Sequence, residues 1–334
     1  MQAVKIKILF QVFFVLSLLP DVQAQSFSFL NVPGQPRVTA LGGNHVSLRN
    51  TDPNLFQQNP AASTDTLQGW ASASYLFYFA DVGMANFAYR HNHKSWGNFG
   101  FAVQHLDLGS IESYDETGAY NGTFNAAETA LVVNHSRQSG NFVFGINAKL
   151  AFSNLAGDRA VALLFDAGGM FVHPQKDLTA ALVFKNLGFV LSDFDAVNAT
   201  EIPWDIQAGI TFKPENMPAR FSFTVYDVAA WSAQRFQDAI EPSAFNAVMS
   251  RMVVGTEILF RKNVSALVGY NYLRRRQLGL DERAGVTGFS FGLAARFSMI
   301  DLSYSHAIYH AAGASNQISV AYNMGSLFNR GNLL

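Results

Sequence analysis

Three kinds of residue group in this chain have the types and spacing from which sites are made. His91 and His93 flank Asn92, a pair that could hold a metal, but a site needs further ligands beside them and none is adjacent. Asp115 with Glu116, and Asp193 with Asp195, are paired carboxylates of the kind that bind calcium or move protons, yet neither pair lies in a recognisable ligand loop. Arg274, Arg275 and Arg276, followed by Asp281, Glu282 and Arg283, make a charged loop that could draw in an anion and reads better as solvated charge. The sequence holds no cysteine, which removes disulfides, thiol nucleophiles and zinc thiolates. It also lacks a G-x-S-x-G elbow, a P-loop and an H-E-x-x-H helix. The reading is a non-enzyme with no cofactor and no resident metal.

The elements that would position these groups are unusual. Hydrophobic residues make up 49% of the 334 and charged residues only 14%, against roughly 25% charged in an average soluble domain. Thirty Phe, 11 Tyr and 26 Gly point the same way. The net charge is near zero, so nothing argues for nucleic acid as a partner. Residues 142–152, FVFGINAKLAF, show the underlying pattern. Phe142, Phe144, Ile146, Ala148, Leu150 and Phe152 alternate with Val143, Gly145, Asn147, Lys149 and Ala151. A strand has a side-chain period of two, so one face is apolar and the other small or polar, as in a wall with lipid outside and a wet or filled lumen inside.

Lys5 and Lys7, the apolar run over residues 8–19 and Val22-Gln23-Ala24 predict a signal peptide over 1–24. No later stretch offers 18 consecutive apolar residues, so a membrane-integral mature chain must cross with strands. Alternation and turn residues predict strands near 69–78, 81–90, 97–106, 125–134, 142–152, 160–172, 178–186, 204–213, 219–228, 251–261, 264–273, 287–297, 300–306 and 317–324. The fold class expected is all-β, a 14-stranded antiparallel transmembrane β-barrel occupying 67–334. The even connections are short and most odd ones long: 107–124, 187–203, 229–250, 274–286 and 307–316. With the N-terminus in the periplasm, the long loops fall at the cell surface and both termini in the periplasm.

Segment 229–250 departs from period two. Phe236 and Ile240, then Phe245 and Met249, are four apart and suggest two short helical turns. With Trp231 they make an apolar element that folds over the barrel mouth or offers a docking surface.

Residues 25–66 do not alternate and carry Pro33, Pro36, Pro53, Pro60 and the pair Gly42-Gly43, which suits an N-terminal plug. Phe29-Leu30-Asn31-Val32-Pro33, Ala40-Leu41-Gly42-Gly43, Asp52 and Asn59-Pro60-Ala61 resemble the opening of the PorQ family of the type IX secretion system. The Gly-rich turn followed by Asn-Pro-Ala also occurs in FadL-like barrels, including the PorV family. The resemblance implies an outer-membrane component of an attachment complex that anchors the surface protein PorZ, alongside PorU and PorV, with membrane lipid and lipopolysaccharide as its surroundings. It makes Asn31, Pro33, Gly42, Gly43, Asp52, Asn59, Pro60 and Ala61 the motif residues and the loops 107–124, 187–203, 229–250 and 274–286 the docking face; Trp231, Phe236, Ile240 and Phe245 are candidate docking residues on the apolar spacing of 229–250. The alternatives are a FadL-like transporter of hydrophobic small molecules and a PorV-like cargo shuttle.

Overall fold

The computed structural model describes residues 27–49, 52–63, 65–79, 82–115, 117–155, 157–194, 200–228, 244–260, 263–278, 286–310 and 313–325. The expected signal peptide over 1–24 lies outside them, as do Trp231, Phe236 and Ile240.

Fourteen strands follow in chain order: β1 (Trp70–Phe77), β2 (Gly83–His93), β3 (Gly97–Tyr114), β4 (Tyr120–Ser139), β5 (Phe142–Leu155), β6 (Asp158–Val172), β7 (Leu178–Ser192), β8 (Asp205–Phe212), β9 (Ala219–Val225), β10 (Met252–Phe260), β11 (Val264–Asn271), β12 (Phe289–Phe297), β13 (Ile300–His310) and β14 (Gly313–Asn323). Each pairs antiparallel with its sequence neighbours, and β1 closes on β14 from Trp70 opposite Asn323 to Phe77 opposite Asn316. The sheet is a closed barrel with no edge along that seam, which satisfies backbone groups that hydrocarbon could not.

The pleat sorts the residues as the alternation requires. Phe144 and Ile146 are each 59% exposed on the outer face, whereas Val143, Gly145, Asn147 and Lys149 are buried inside. On β6 the outer face carries Phe165 and the inner face Leu164 and Asp166, which settles an orientation the sequence left open. Outward aromatics pair near both ends of the wall. Phe142 meets Phe171 at 5.3 Å and Phe212 meets Phe221 at 5.5 Å at one end, while Tyr75 meets Phe77 at 4.7 Å and Tyr270 meets Phe289 at 4.8 Å at the other. Two such girdles bound the lipid-facing band of a membrane barrel.

Three of the expected loops differ. Residues 107–124 are largely a hairpin in which β3 and β4 stay paired to Tyr114 opposite Tyr120. Residues 307–316 likewise close as a hairpin, with His310 opposite Gly313. β7 runs on to Ser192, six residues past its expected end. Above the lipid both faces of a strand meet water, so the apolar period disappears although the ladder continues. One wall is therefore tall, with 18, 20, 14, 15 and 15 residues in β3 to β7. Opposite it, β8 to β12 hold 8, 7, 9, 8 and 9.

Phe27 packs with Leu76, Met84 and Leu106 at the mouth of the β1–β2 and β3–β4 connections. At the other mouth, Met324 donates its backbone N–H to Gly69 at 2.7 Å, just before β1. The two described ends thus lie at opposite mouths, because the N-terminal segment runs through the lumen before β1 begins.

Candidate functional site: the segment inside the barrel

Residues 27–63 are buried almost throughout and bond to inward side chains from nearly every part of the wall. A 3-10 turn, Ser28–Asn31, sets Phe27, Phe29 and Leu30 into an apolar cluster with Leu76, Met84, Leu106, Ala151 and Leu164. Gln104 fixes this turn, its Nε2 donating to the Phe29 carbonyl at 3.0 Å and to that of Val32 at 3.2 Å. The Pro33 carbonyl accepts from Gln317 at 3.2 Å. Asn31 is exposed. Its Oδ1 lies 3.5 Å from Asn186 Nδ2, beside a cavity of about 170 Å³ that Trp204, Asp205 and Tyr226 also line.

Pro36 then starts the helix α1, Pro36–Ala40, where its missing N–H costs nothing. From α1, buried Arg37 pairs with Glu257, which also accepts from Arg220 at 2.9 Å. Arg220 reaches on to Asp177 at 3.2 Å, and Arg296 holds Asp301 at 2.7 Å over the Trp70 ring. Arg37, Arg220, Glu257, Arg296 and Asp301, with Lys213, line a cavity of about 720 Å³ at the short-turn mouth. The motif analysis did not find it, because its charges come from α1, the β8–β9 turn, β9, β10, β12 and β13.

Leu41 lies flat on the wall. A Cβ at Gly269 would sit 2.0 Å from the Leu41 carbonyl carbon, so the wall must be bare there. The chain reverses at Gly42 and Gly43, whose φ of 111° and 109° suit glycine. Asn271 and Arg274 donate to the Gly42 carbonyl at 3.2 and 3.5 Å. His45 donates to the Leu41 carbonyl at 2.7 Å, and burial pulls its imidazole down to about 4, so it is neutral.

Asp52 accepts the Asn54 N–H at 2.8 Å, and burial pushes its carboxyl up to about 6 although Arg37 and Arg296 pull it down. Asn59, Pro60 and Ala61 form a capped turn. Asn59 Oδ1 accepts from the Ala61 N–H at 2.8 Å, and its Nδ2 donates to the Val46 carbonyl at 2.6 Å. This turn presses on two wall glycines. A Cβ at Gly145 would lie 2.4 Å from the Pro60 carbonyl, and one at Gly168 2.2 Å from Asn59 Oδ1. Asn134 donates to the Pro60 carbonyl at 3.2 Å and accepts from Ser63 at 2.6 Å.

Beside the turn runs a buried polar chain across four strands. Asn134 bonds Asn147 at 2.8 Å, Asn147 bonds Asp166 at 2.8 Å, and Lys149 bonds both Asp166 at 2.7 Å and Asn186 at 2.9 Å. Lys185 and Asn186 both point inward opposite Asp166, because β7 bulges there with Asn186 at φ 55°. The adjacent polar pair Lys185-Asn186, breaking the alternation, was the visible signal.

The motif residues are thus brought together as contacts between segment and wall. Of the docking residues only Phe245 is described. It lies on α2 (Ala244–Met249), 65% exposed, with its ring edge-on to Tyr272 at 6.4 Å. Tyr272 opens α3 (Tyr272–Leu278), whose Arg274 stacks on Tyr309 at 4.1 Å and donates to Ser290 at 3.1 Å, so this arginine is packed and not a solvated loop charge. His91 and His93 lie at the end of β2, and His93 Nδ1 accepts the N–H of Ser95 and of Trp96 at 3.3 Å.

No family model and no curated protein matches the sequence. Solved structures do. The Ralstonia pickettii toluene transporter TbuX is similar at a TM-score of 0.54 and 11% identity, over 89% of this chain and 98% of that one. A deltaS2 mutant of the monoaromatic hydrocarbon channel TodX gives 0.54 and 13%, over 87% and 98%. A Pseudomonas aeruginosa FadL homologue gives 0.50 and 11%, over 88% and 99%. The chain has a FadL-like fold.

Proposed function

We propose that this barrel is a membrane-seated scaffold, an anchor for a surface protein, and that the segment over 25–66 is its permanent plug. The observation that carries the reading is the occupancy of the lumen. Its apolar volume is filled by Phe27, Phe29 and Leu30, and the segment is bolted to the wall by the Arg37–Glu257 pair and by Asn134 and Asn147, which donate to the Pro60 and Phe56 carbonyls. Displacing the segment to let a solute pass would break the buried Arg37–Glu257 pair, costly to leave half-made. The motif resemblance makes PorZ the anchored protein, with PorU and PorV in the same complex, and the long-loop mouth with exposed Phe245 the docking face. No comparison bears on that partner.

Transport of a hydrophobic small molecule is the second reading. The fold likeness to hydrocarbon transporters and channels supports it better than it supports anchoring, and the apolar cluster at the long-loop mouth favours it. That likeness, at 11–13% identity, extends to the fold alone. Affinity capture from detergent extracts with mass spectrometry separates the two. Anchoring predicts a stoichiometric surface protein that is released from cells lacking the barrel. Unchanged surface retention together with lost uptake of toluene would replace anchoring with transport.

A further inference from the structure

The outer wall carries a trough of about 550 Å³ on the lipid side of β5, β6 and β7, toward the short-turn end. Its floor is Ala167 and Gly169, the outward residues of β6, and Phe144, Ile146, Leu182 and Phe184 flank it from the paired strands. At one end stand Arg137 and His135 of β4. Arg137 is exposed, faces outward and makes no ion pair or hydrogen bond among the described residues. It is paired with Phe144, two residues short of the last β4–β5 pair, Ser139 with Phe142. At a strand rise of about 3.4 Å and a tilt of about 40°, that places it roughly 5 Å inside the wall's end. His135 lies against Phe99 at 4.9 Å, and its buried Nδ1 has no partner.

We propose that this is a binding site for an anionic glycerophospholipid, its phosphate on Arg137 and one acyl chain along the Ala167–Gly169 floor. Arg137, Phe144 and Gly169 share one cross-strand rung, so the apolar trough opens sideways from the charge, and an anion that carries hydrocarbon with it matches both at once. Water and a free anion satisfy the charge but leave the trough unfilled. Protein partners would have to pass through lipid to reach it. The choice of a glycerophospholipid over a lipopolysaccharide rests on the orientation proposed above, with short turns in the periplasm; the existence of a lipid site does not.

The test is native mass spectrometry of the full mature chain, delipidated in detergent and titrated with phosphatidylglycerol, phosphatidylcholine or lipid A. Arg137→Gln should lower phosphatidylglycerol occupancy at least tenfold and leave the weaker phosphatidylcholine binding unchanged. Gly169→Leu supplies an independent variant. A Cβ there would meet only Phe144, at 3.9 Å, so the barrel folds while the trough is filled, and occupancy should fall with Arg137 intact. Unboiled gel mobility checks folding of both. Wild-type occupancy in either folded variant would overturn the site. Lipid A binding tenfold tighter than phosphatidylglycerol would overturn the glycerophospholipid assignment, whereas reversed surface labelling with phosphatidylglycerol binding intact would overturn the orientation alone.

Discussion

Lys149 and Asp166 face each other across β5 and β6 with 2.7 Å between Nζ and Oδ2, both buried, inside a wall whose other side is lipid. Two opposite charges removed from water hold each other and, through Asn147 and Asn186, hold the strands and the segment in register.

Removing one partner should therefore cost more than removing both. Asp166→Ala is expected to destabilise by about 3–5 kcal/mol, and Lys149→Met with Asp166→Leu to lie close to the native chain. Urea titration read by unboiled gel mobility measures each. A single variant as stable as the double would contradict this.

Gly145 has no space for a side chain. Gly145→Val drives a Cβ into the Pro60 carbonyl, so the Asn59-Pro60-Ala61 turn must shift at a cost of about 1–3 kcal/mol. Hydrogen exchange over residues 55–63 should quicken, while β10 to β12 stay protected. Equal protection in the variant and the native chain would mean that the turn does not bear on the wall.

The native chain lacks cysteine, so single cysteines report cleanly on which side each mouth faces. Exposed Ser28 and Thr117 lie toward the long-loop mouth, and Gln68 and Ser139 toward the other. On intact cells an impermeant maleimide is expected to reach Ser28→Cys and Thr117→Cys but neither Gln68→Cys nor Ser139→Cys. Labelling of Ser28→Cys together with Gln68→Cys would contradict the separation of the two ends.

Asp52 supplies a pH dependence. Its carboxyl is raised from 3.8 to about 6 by burial, so the folded segment takes up a proton. The stabilising contribution is fully present below about pH 4 and lost as pH rises through 6. After correction for intrinsic rates, exchange over residues 52–58 should slow as pH is lowered from 8 to 5, and Asp52→Asn should abolish the trend. A slope of opposite sign would place Asp52 among paired carboxylates.

The wall was legible because lipid imposes period two. Each predicted strand, from 69–78 to 317–324, overlaps an observed one, and Asn147 and Lys149, on the small or polar face of 142–152, point inward. Where lipid ends, the signal ends, which is why Ile111 and Tyr114 looked like loop and proved to be strand. The segment's motifs were visible as a set, but their path was not, since Asn54 meets Asn86 and Ser47 meets Thr211 across separations that no local spacing encodes. Lys149 pointed inward on sequence grounds, yet its partner Asp166 lies 17 positions away on a strand whose facing was undecided.

Phe27 ends at one mouth and Gly325 at the other, with Gly69 hydrogen-bonded beside the second. A closed ring cannot be threaded afterwards by a segment so tightly interlocked. The described residues between Phe27 and Ser63 must already stand between the strands when β14 zips onto β1, so assembly has a compulsory last stitch. A bulky fusion ahead of Phe27 would have to cross the bilayer with the polypeptide before that stitch is made.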